Sequence, residues 1–164
     1  MKLGEMLTAE RVLPNLRPSG KHSLLRAIVS KLAEAGDVED SEAVLQAVVE
    51  RENLTSTGIG GGYAVPHTFC SEVNRYLLAL ATIPQGADFK SLDGQPVRFI
   101  FLLLGPPAAQ GQHLKILARL CRILNDKTLF GELSTAQDDP ERLCEIIRVR
   151  ESAYEATYEA ARQR

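Results

Sequence analysis

R51-E-N-L-T-S-T-G-I-G-G-G-Y-A-V-P-H67 passes from a helix-like end through a glycine-rich turn into a short apolar run that delivers one histidine. Glycines let successive backbone N–H groups converge on an anion, and a neutral ring nitrogen can accept a phosphoryl group. Pro66 fixes its own φ and pushes Val65 toward extended geometry, so His67 is delivered on a stiff segment. The pattern suggests phosphate chemistry on a helix–turn–strand frame.

Two helices are expected upstream. Leu24, Leu25, Ile28, Val29 and Leu32 recur with helical spacing after Ser23, and Gly36 supplies a stop. A second helix should start from Asp40 or Ser41 as N-cap and run through Val44, Leu45, Val48 and Val49 to about Arg51. Downstream, the apolar runs Tyr76 to Ile83 and Arg98 to Leu104 are bounded by Pro84, Gly86, Gly94 and Gly105, the profile of buried strands. The Asp93-Gly94 pair between them signals a turn.

Helical pattern returns after Gly105-Pro106-Pro107. Leu114, Leu117, Cys121 and Leu124 form one stripe, with Ile116, Leu120 and Ile123 beside it. Short helices near Thr128 to Leu133 and from Pro140 to about Arg150 complete the pattern. Early helices, central strands and late helices make an α/β sandwich with a sheet between helical layers. At 164 residues and 45% hydrophobic content the chain fits one domain, assigned to residues 1–150. Residues 151–164 form a helix-prone but weakly apolar tail, expected to be exposed or frayed, in which Tyr154 and Tyr158 stand at i and i+4 to dock on the domain or on a second copy.

Bulk properties exclude several functions. A net charge of −2 with no basic run gives no general attraction to nucleic acid or to anionic membrane. The longest apolar stretches fall far short of the roughly 20 residues of a spanning helix, and the N-terminal residues lack the apolar core of a secretory signal, so a cytoplasmic location is expected. Cys70, Cys121 and Cys144 are odd in number and widely spaced, which suits reduced thiols. Cys70 lies three residues after His67, but no second Cys or His nearby completes a tetrahedral set, so no metal is expected. The glycine loop lacks the Gly-Lys-Ser/Thr ending of a P-loop. Counted from Gly58 or Gly60, the third glycine of a dinucleotide fingerprint would fall on Tyr63 or Val65. No nucleotide cofactor is implied.

The order of residues resembles the mannitol/fructose-type IIA family of the bacterial phosphoenolpyruvate-dependent sugar phosphotransferase system, which includes the nitrogen-regulatory IIA proteins. S-T-G-I-G followed by apolar-Pro-His marks the family's phosphorylated histidine, here His67. The match continues through D88-F-K-S-L-D-G-Q-P-V97, F99-I-F-L-L-L104 and H113-L-K-I-L117, so it spans roughly Leu3 to Ile147. The resemblance implies a central mixed, largely parallel sheet flanked by helices. It also implies a second active-site histidine at His113, which orients and neutralises, and an arginine near the site at Arg51.

Physical chemistry gives each of these residues a reason and an alternative. His67 would use one ring nitrogen as nucleophile while the other donates to a fixed acceptor. His113, at a helix start, combines a side-chain donor with free backbone N–H groups, although a polar residue there is often simply solvated. Arg51 can pair with phosphoryl oxygens, or can merely sit at a helix C-terminus or beside Glu52. The Thr57 hydroxyl and the amides of Gly58 and Gly60 are expected to hold the phosphoryl group, with the alternative that Thr57 bonds only its local backbone. Asp88 and Asp93 suit turn chemistry, and His22, outside every motif, reads as surface.

These readings converge on reversible phosphoryl transfer. By the resemblance, the histidine phosphocarrier protein is the donor and a cysteine of a IIB domain the acceptor. The competing reading is a regulatory interaction protein whose partners sense the phosphorylation state of His67. A homodimer is compatible with either.

Overall fold

Two apolar runs form the centre of the molecule because both of their faces are covered. In the computed structural model, which describes residues 1–164, they are β5 (Leu77–Ala87) and β6 (Val97–Gly105), paired antiparallel from Leu77 opposite Leu104 to Ala87 opposite Val97. Phe99, Phe101 and Leu103 of β6 point to one side of the sheet with Leu78 and Leu80 of β5. Ile100, Leu102 and Leu104 point to the other with Leu77, Ala79 and Ala81. A fully buried Leu or Phe contributes on the order of 1.5–3 kcal/mol. This ladder, and not the short strands that carry the motif residues, therefore anchors the sheet.

The remaining strands are β1 (Val12–Leu13), β2 (Gly58–Gly60), β3 (Tyr63–Ala64) and β4 (His67–Phe69). The sheet runs β1-β5-β6-β3-β2, with β4 also on β6. The pairings β1–β5, β3–β6 and β4–β6 are parallel, and β2–β3 and β5–β6 are antiparallel. The expected mixed sheet is present, and its longest ladder is the antiparallel one.

Helices α2 (Lys21–Glu34) and α3 (Ser41–Leu54) cover one face. The side chain of Asp40 caps α3 by accepting from the Ala43 N–H at 3.0 Å, and Gly36 takes a left-handed φ of 79° beyond α2. α2 starts two residues before Ser23, and His22 is exposed in its first turn. The other face packs against α1 (Leu3–Met6), α4 (Gln110–Leu124), α5 (Leu129–Thr135) and α6 (Pro140–Arg162). No helix is long and apolar enough to cross a membrane.

Two helices differ from expectation. In α4 the inward stripe is His113, Ile116, Leu120, Ile123 and Leu124, whereas Leu114 and Cys121 face outward, so the expected stripe through those two is corrected. His113 is the first member of the buried row. The last helix, expected to end near Arg150, continues to Arg162. Glu151, 2% exposed, accepts from the N–H groups of Leu3 at 2.8 Å and Gly4 at 3.1 Å and pairs with Arg119 at 3.2 Å. The Arg122 guanidinium lies 5.7 Å from the centre of the half-buried Tyr154 ring, which holds the next turn on the domain.

Candidate functional site

β6 acts as a ruler for the motif stretch. Tyr63 is opposite Phe99 and His67 opposite Leu103, a separation of about 13 Å at about 3.3 Å per residue. Between the two short strands the Pro66 carbonyl accepts the Leu103 N–H at 2.9 Å, so the chain stays paired to β6 although proline offers no donor. His67 thus stands toward the Gly105 end of β6, beside the last turn of α3 and the first turns of α4.

The imidazole is held at Nδ1. That atom lies 2.8 Å from the Val65 carbonyl oxygen. A carbonyl only accepts, so Nδ1 carries the proton and Nε2 keeps its lone pair. Arg51 Nη2 is 3.3 Å from Nε2, which is consistent because a guanidinium only donates. Burial is the largest influence on the ring and lowers its pKa below the ordinary histidine value. The Val65 carbonyl opposes this, Arg51 reinforces it, and Glu52 opposes it.

His113 completes the group. Its ring centre is 5.6 Å from that of His67, 4.4 Å from Phe69 and 5.8 Å from Tyr76. It is 5% exposed, and its Nδ1 has no hydrogen-bond partner. Burial first, and the His67 ring second, lower its pKa to about 4, so it is neutral at physiological pH. The alternative reading of His113 as a solvated polar residue does not hold, because the side chain is enclosed. Tyr76 shapes the enclosure: its hydroxyl donates to the Ala109 carbonyl before α4, and a Cβ on Gly105 would run into its ring.

The glycine loop lies at the other end of the hairpin from the imidazole. Gly60 and Gly61 line a cleft of about 510 Å³ at the far end of the β2–β3 hairpin, with Tyr63, Asp93, Asp126 and Phe130. Their left-handed φ values, 92° and 67°, serve the hairpin turn. The Gly61 N–H donates to Asp93 at 2.9 Å, and Asp93 also accepts from the Gln95 N–H at 3.1 Å. Spacing alone could not reveal this, because β2 and β3 fold back on each other and carry the loop away from His67. Gly58 is buried against Ser91, leaving no room for a side chain.

Thr57 is near the site but turned from it. Its hydroxyl donates to Glu52 Oε2 at 2.6 Å and its N–H to Glu52 Oε1 at 3.0 Å. Asp88 and Asp93 both make turn contacts, Asp88 by accepting from the Lys90 N–H at 2.8 Å. Cys70 is buried in the core under α2 and α3. The structure therefore brings Arg51, His67 and His113 together, places Thr57 and Gly58 behind them, and leaves Gly60 apart. Sequence reasoning missed Tyr76 and Glu52. The row in which His113, Ile116, Leu120 and Ile123 share one face could have indicated burial of His113.

The elements that carry the site also present exposed apolar side chains. Phe69 lies against His113, Leu114 follows it at 72% exposure, and Leu54 ends α3 at 79% exposure. A neutral nucleophilic nitrogen with a cation and a second imidazole beside it suits transfer of an anionic group.

Known proteins share this arrangement of chain. The nitrogen regulatory protein of Bradyrhizobium diazoefficiens is 34% identical over 138 residues, covering 84% of this chain and 90% of that one. The fructose-specific EIIABC component of the Bacillus subtilis phosphotransferase system is 32% identical over 147 residues, which are 90% of this chain and 23% of the longer protein. The crystal structure of the nitrogen regulatory protein IIA-Ntr from Neisseria meningitidis superposes with a TM-score of 0.81 at 29% identity, over 88% of this chain and 98% of that one. Residues 5–149 match the family described as phosphoenolpyruvate-dependent sugar phosphotransferase system, EIIA 2, and the chain belongs to that family.

Proposed function

We propose that this protein is a phosphocarrier in which His67 Nε2 accepts a phosphoryl group from a phosphohistidine on the histidine phosphocarrier protein. A P–N bond forms at Nε2 as the donor's P–N bond breaks; the donor ring, protonated on its other nitrogen, leaves as neutral imidazole, and His67 keeps its own proton on Nδ1. The observation that carries the proposal is the 2.8 Å contact of Nδ1 with the Val65 carbonyl, which leaves the Nε2 lone pair free beside Arg51. Arg51 neutralises phosphoryl oxygens and His113 orients them, and an in-line transfer of this kind depends chiefly on such positioning and charge stabilisation. Thr57 and Gly58 serve by fixing the backbone behind the ring. No step calls for a metal or a nucleotide.

The acceptor in this reading is a cysteine of a IIB domain in fructose- or mannitol-type uptake. A second reading, a nitrogen-regulatory role in which partners sense the charge on His67, is favoured by the regulatory relative that aligns over nearly its whole length. Intact mass after incubation with phosphoenolpyruvate, enzyme I and the phosphocarrier protein tests the shared step. One acid-labile phosphoryl adduct, absent from a His67→Ala variant, is expected, and an unmodified chain beside a phosphorylated IIA control would refute it. Adding IIB then separates the readings: loss of the adduct marks transport, and a retained adduct marks regulation.

A further inference from the structure

Arg51 and Glu52 are consecutive on α3 and point in different directions, about 100° apart around the helix. Arg51 meets the Nε2 side of His67. Glu52 is turned inward, with its side chain 2% exposed. Its Oε1 accepts from Lys21 Nζ at 2.8 Å and from the Thr57 N–H at 3.0 Å, and its Oε2 accepts from the Thr57 hydroxyl at 2.6 Å. Two contacts to one residue fix the peptide orientation at Thr57. The Thr57 carbonyl in turn accepts the Val65 N–H at 2.9 Å, and the Val65 carbonyl accepts the His67 Nδ1–H at 2.8 Å.

We propose that Glu52 is a positioning residue for His67: through Thr57 and Val65 it aims the carbonyl that selects the Nδ1–H tautomer, and so it keeps Nε2 available for the phosphoryl group. The proposal rests on the phosphocarrier reading for its functional meaning. The chemistry requires a carboxylate. Thr57 presents two donors and Lys21 a third together with a positive charge, and a carboxylate accepts from all three while balancing that charge. A buried carboxylate is costly unless paired, which is the part of Lys21, whose ammonium also lies 4.9 Å from the centre of the Phe89 ring. In a Glu52→Gln variant the amide N–H₂ can face only the Thr57 hydroxyl, which must then reverse to accept, and the charge that pairs with Lys21 is lost. The clamp on Thr57 then loosens, and the Val65 carbonyl is free to rotate away from Nδ1.

A purely structural role would affect stability without changing the protonation pattern of the ring. The test is therefore ¹⁵N NMR of the His67 imidazole, combined with the rate and the donor KM of phosphorylation, in wild type, Glu52→Gln, Thr57→Val and Thr57→Ser. Wild type and Thr57→Ser should show one tautomer protonated at Nδ1. Glu52→Gln and Thr57→Val should show a mixture of tautomers and a rate about tenfold lower at unchanged donor KM, within the range for loss of an outer-shell partner. If the folded Glu52→Gln and Thr57→Val proteins keep the wild-type tautomer and rate, the proposal is overturned. Should Glu52→Gln fail to fold, Thr57→Val decides alone. A wild-type chain that takes no phosphoryl group overturns the phosphocarrier reading separately, and the NMR spectra still decide the positioning role.

Discussion

Arg51 Nη2 and His67 Nε2 are 3.3 Å apart, a cation facing the lone pair of a neutral ring. The contact favours the deprotonated form of Nε2 and places a charge where phosphoryl oxygens would gather. Arg51 is only half-buried at the end of α3, so Arg51→Ala should fold normally. Its phosphorylation rate should fall about 10- to 100-fold, equivalent to about 1.4 to 2.8 kcal/mol. The His67 titration should move upward. Arg51→Lys should recover only part of the rate, because an ammonium lacks the planar fork. Stopped-flow phosphorylation and NMR titration check this, and a wild-type rate in Arg51→Ala would remove Arg51 from the site.

His113 makes stability depend on pH over a definite window. Its folded pKa, about 4, lies below the ordinary 6.5, so as the pH falls the unfolded chain takes the proton first. Stability is complete above about pH 6.5, declines toward about pH 4, and from this group loses nothing more below that. The decline should be about 2–3 kcal/mol. Asp37 acts in the same sense at lower pH: the Arg11 hydrogen bond holds its carboxyl below the usual carboxylate value, so its contribution is lost only as the pH falls through the carboxylate range. Urea titrations at pH 7.5 and 4.5 should show a smaller decline in His113→Asn than in wild type. Equal declines would contradict the assignment.

Gly58 and Ser91 tie the motif around residues 88–97 to the strand behind the site. A Cβ at Gly58 would meet the Ser91 side chain and come within 3.0 Å of its Cα. Gly58→Ala should destabilise the fold by about 1–3 kcal/mol, the range for overpacking. Ser91→Gly should restore part of that in the double variant. A thermodynamic cycle from denaturant melts measures the coupling, and simple additivity would show that the two residues do not share the space.

Glu151 caps the N-terminal helix from the far end of the chain. Removing it by Glu151→Ala leaves the Leu3 and Gly4 N–H groups and Arg119 without that carboxylate. A loss of about 2–4 kcal/mol is expected, as for breaking a buried charged pair. Hydrogen exchange should accelerate at residues 3–7 more than in β5 or β6. Uniform acceleration across the protein would mean that the contact is not local.

The sandwich was legible because unbroken apolar runs, capping residues and helical stripes are local signals. Gly36 and Asp40 acted as the expected stop and cap. The meeting of Arg51, His67 and His113 was legible only through resemblance, since each comes from a different element. Glycine count does not encode which end of a hairpin the loop occupies, so the position of Gly60 relative to His67 was not legible. Glu52 and Tyr76 were hidden for a related reason: each acts through a backbone carbonyl, that of Thr57 or Ala109, whose direction is set only when the chain is folded. The length of α6 was hidden because Glu151 is secured by residues at the other terminus.

The β5–β6 ladder joins neighbouring stretches of chain, and β3 and β4 then attach to the free edge of β6. Nearby partners lose less chain entropy on meeting than distant ones, which makes the hairpin the natural nucleus and the docking of His67 a late event. Refolding rates of His67→Ala, Arg51→Ala and wild type should coincide, and a slowed variant would place the site inside the nucleus. The molecule thereby separates the residues that determine how fast it folds from those exposed to selection on its chemistry, so its reactive edge is free to diverge while the route to the native state stays the same.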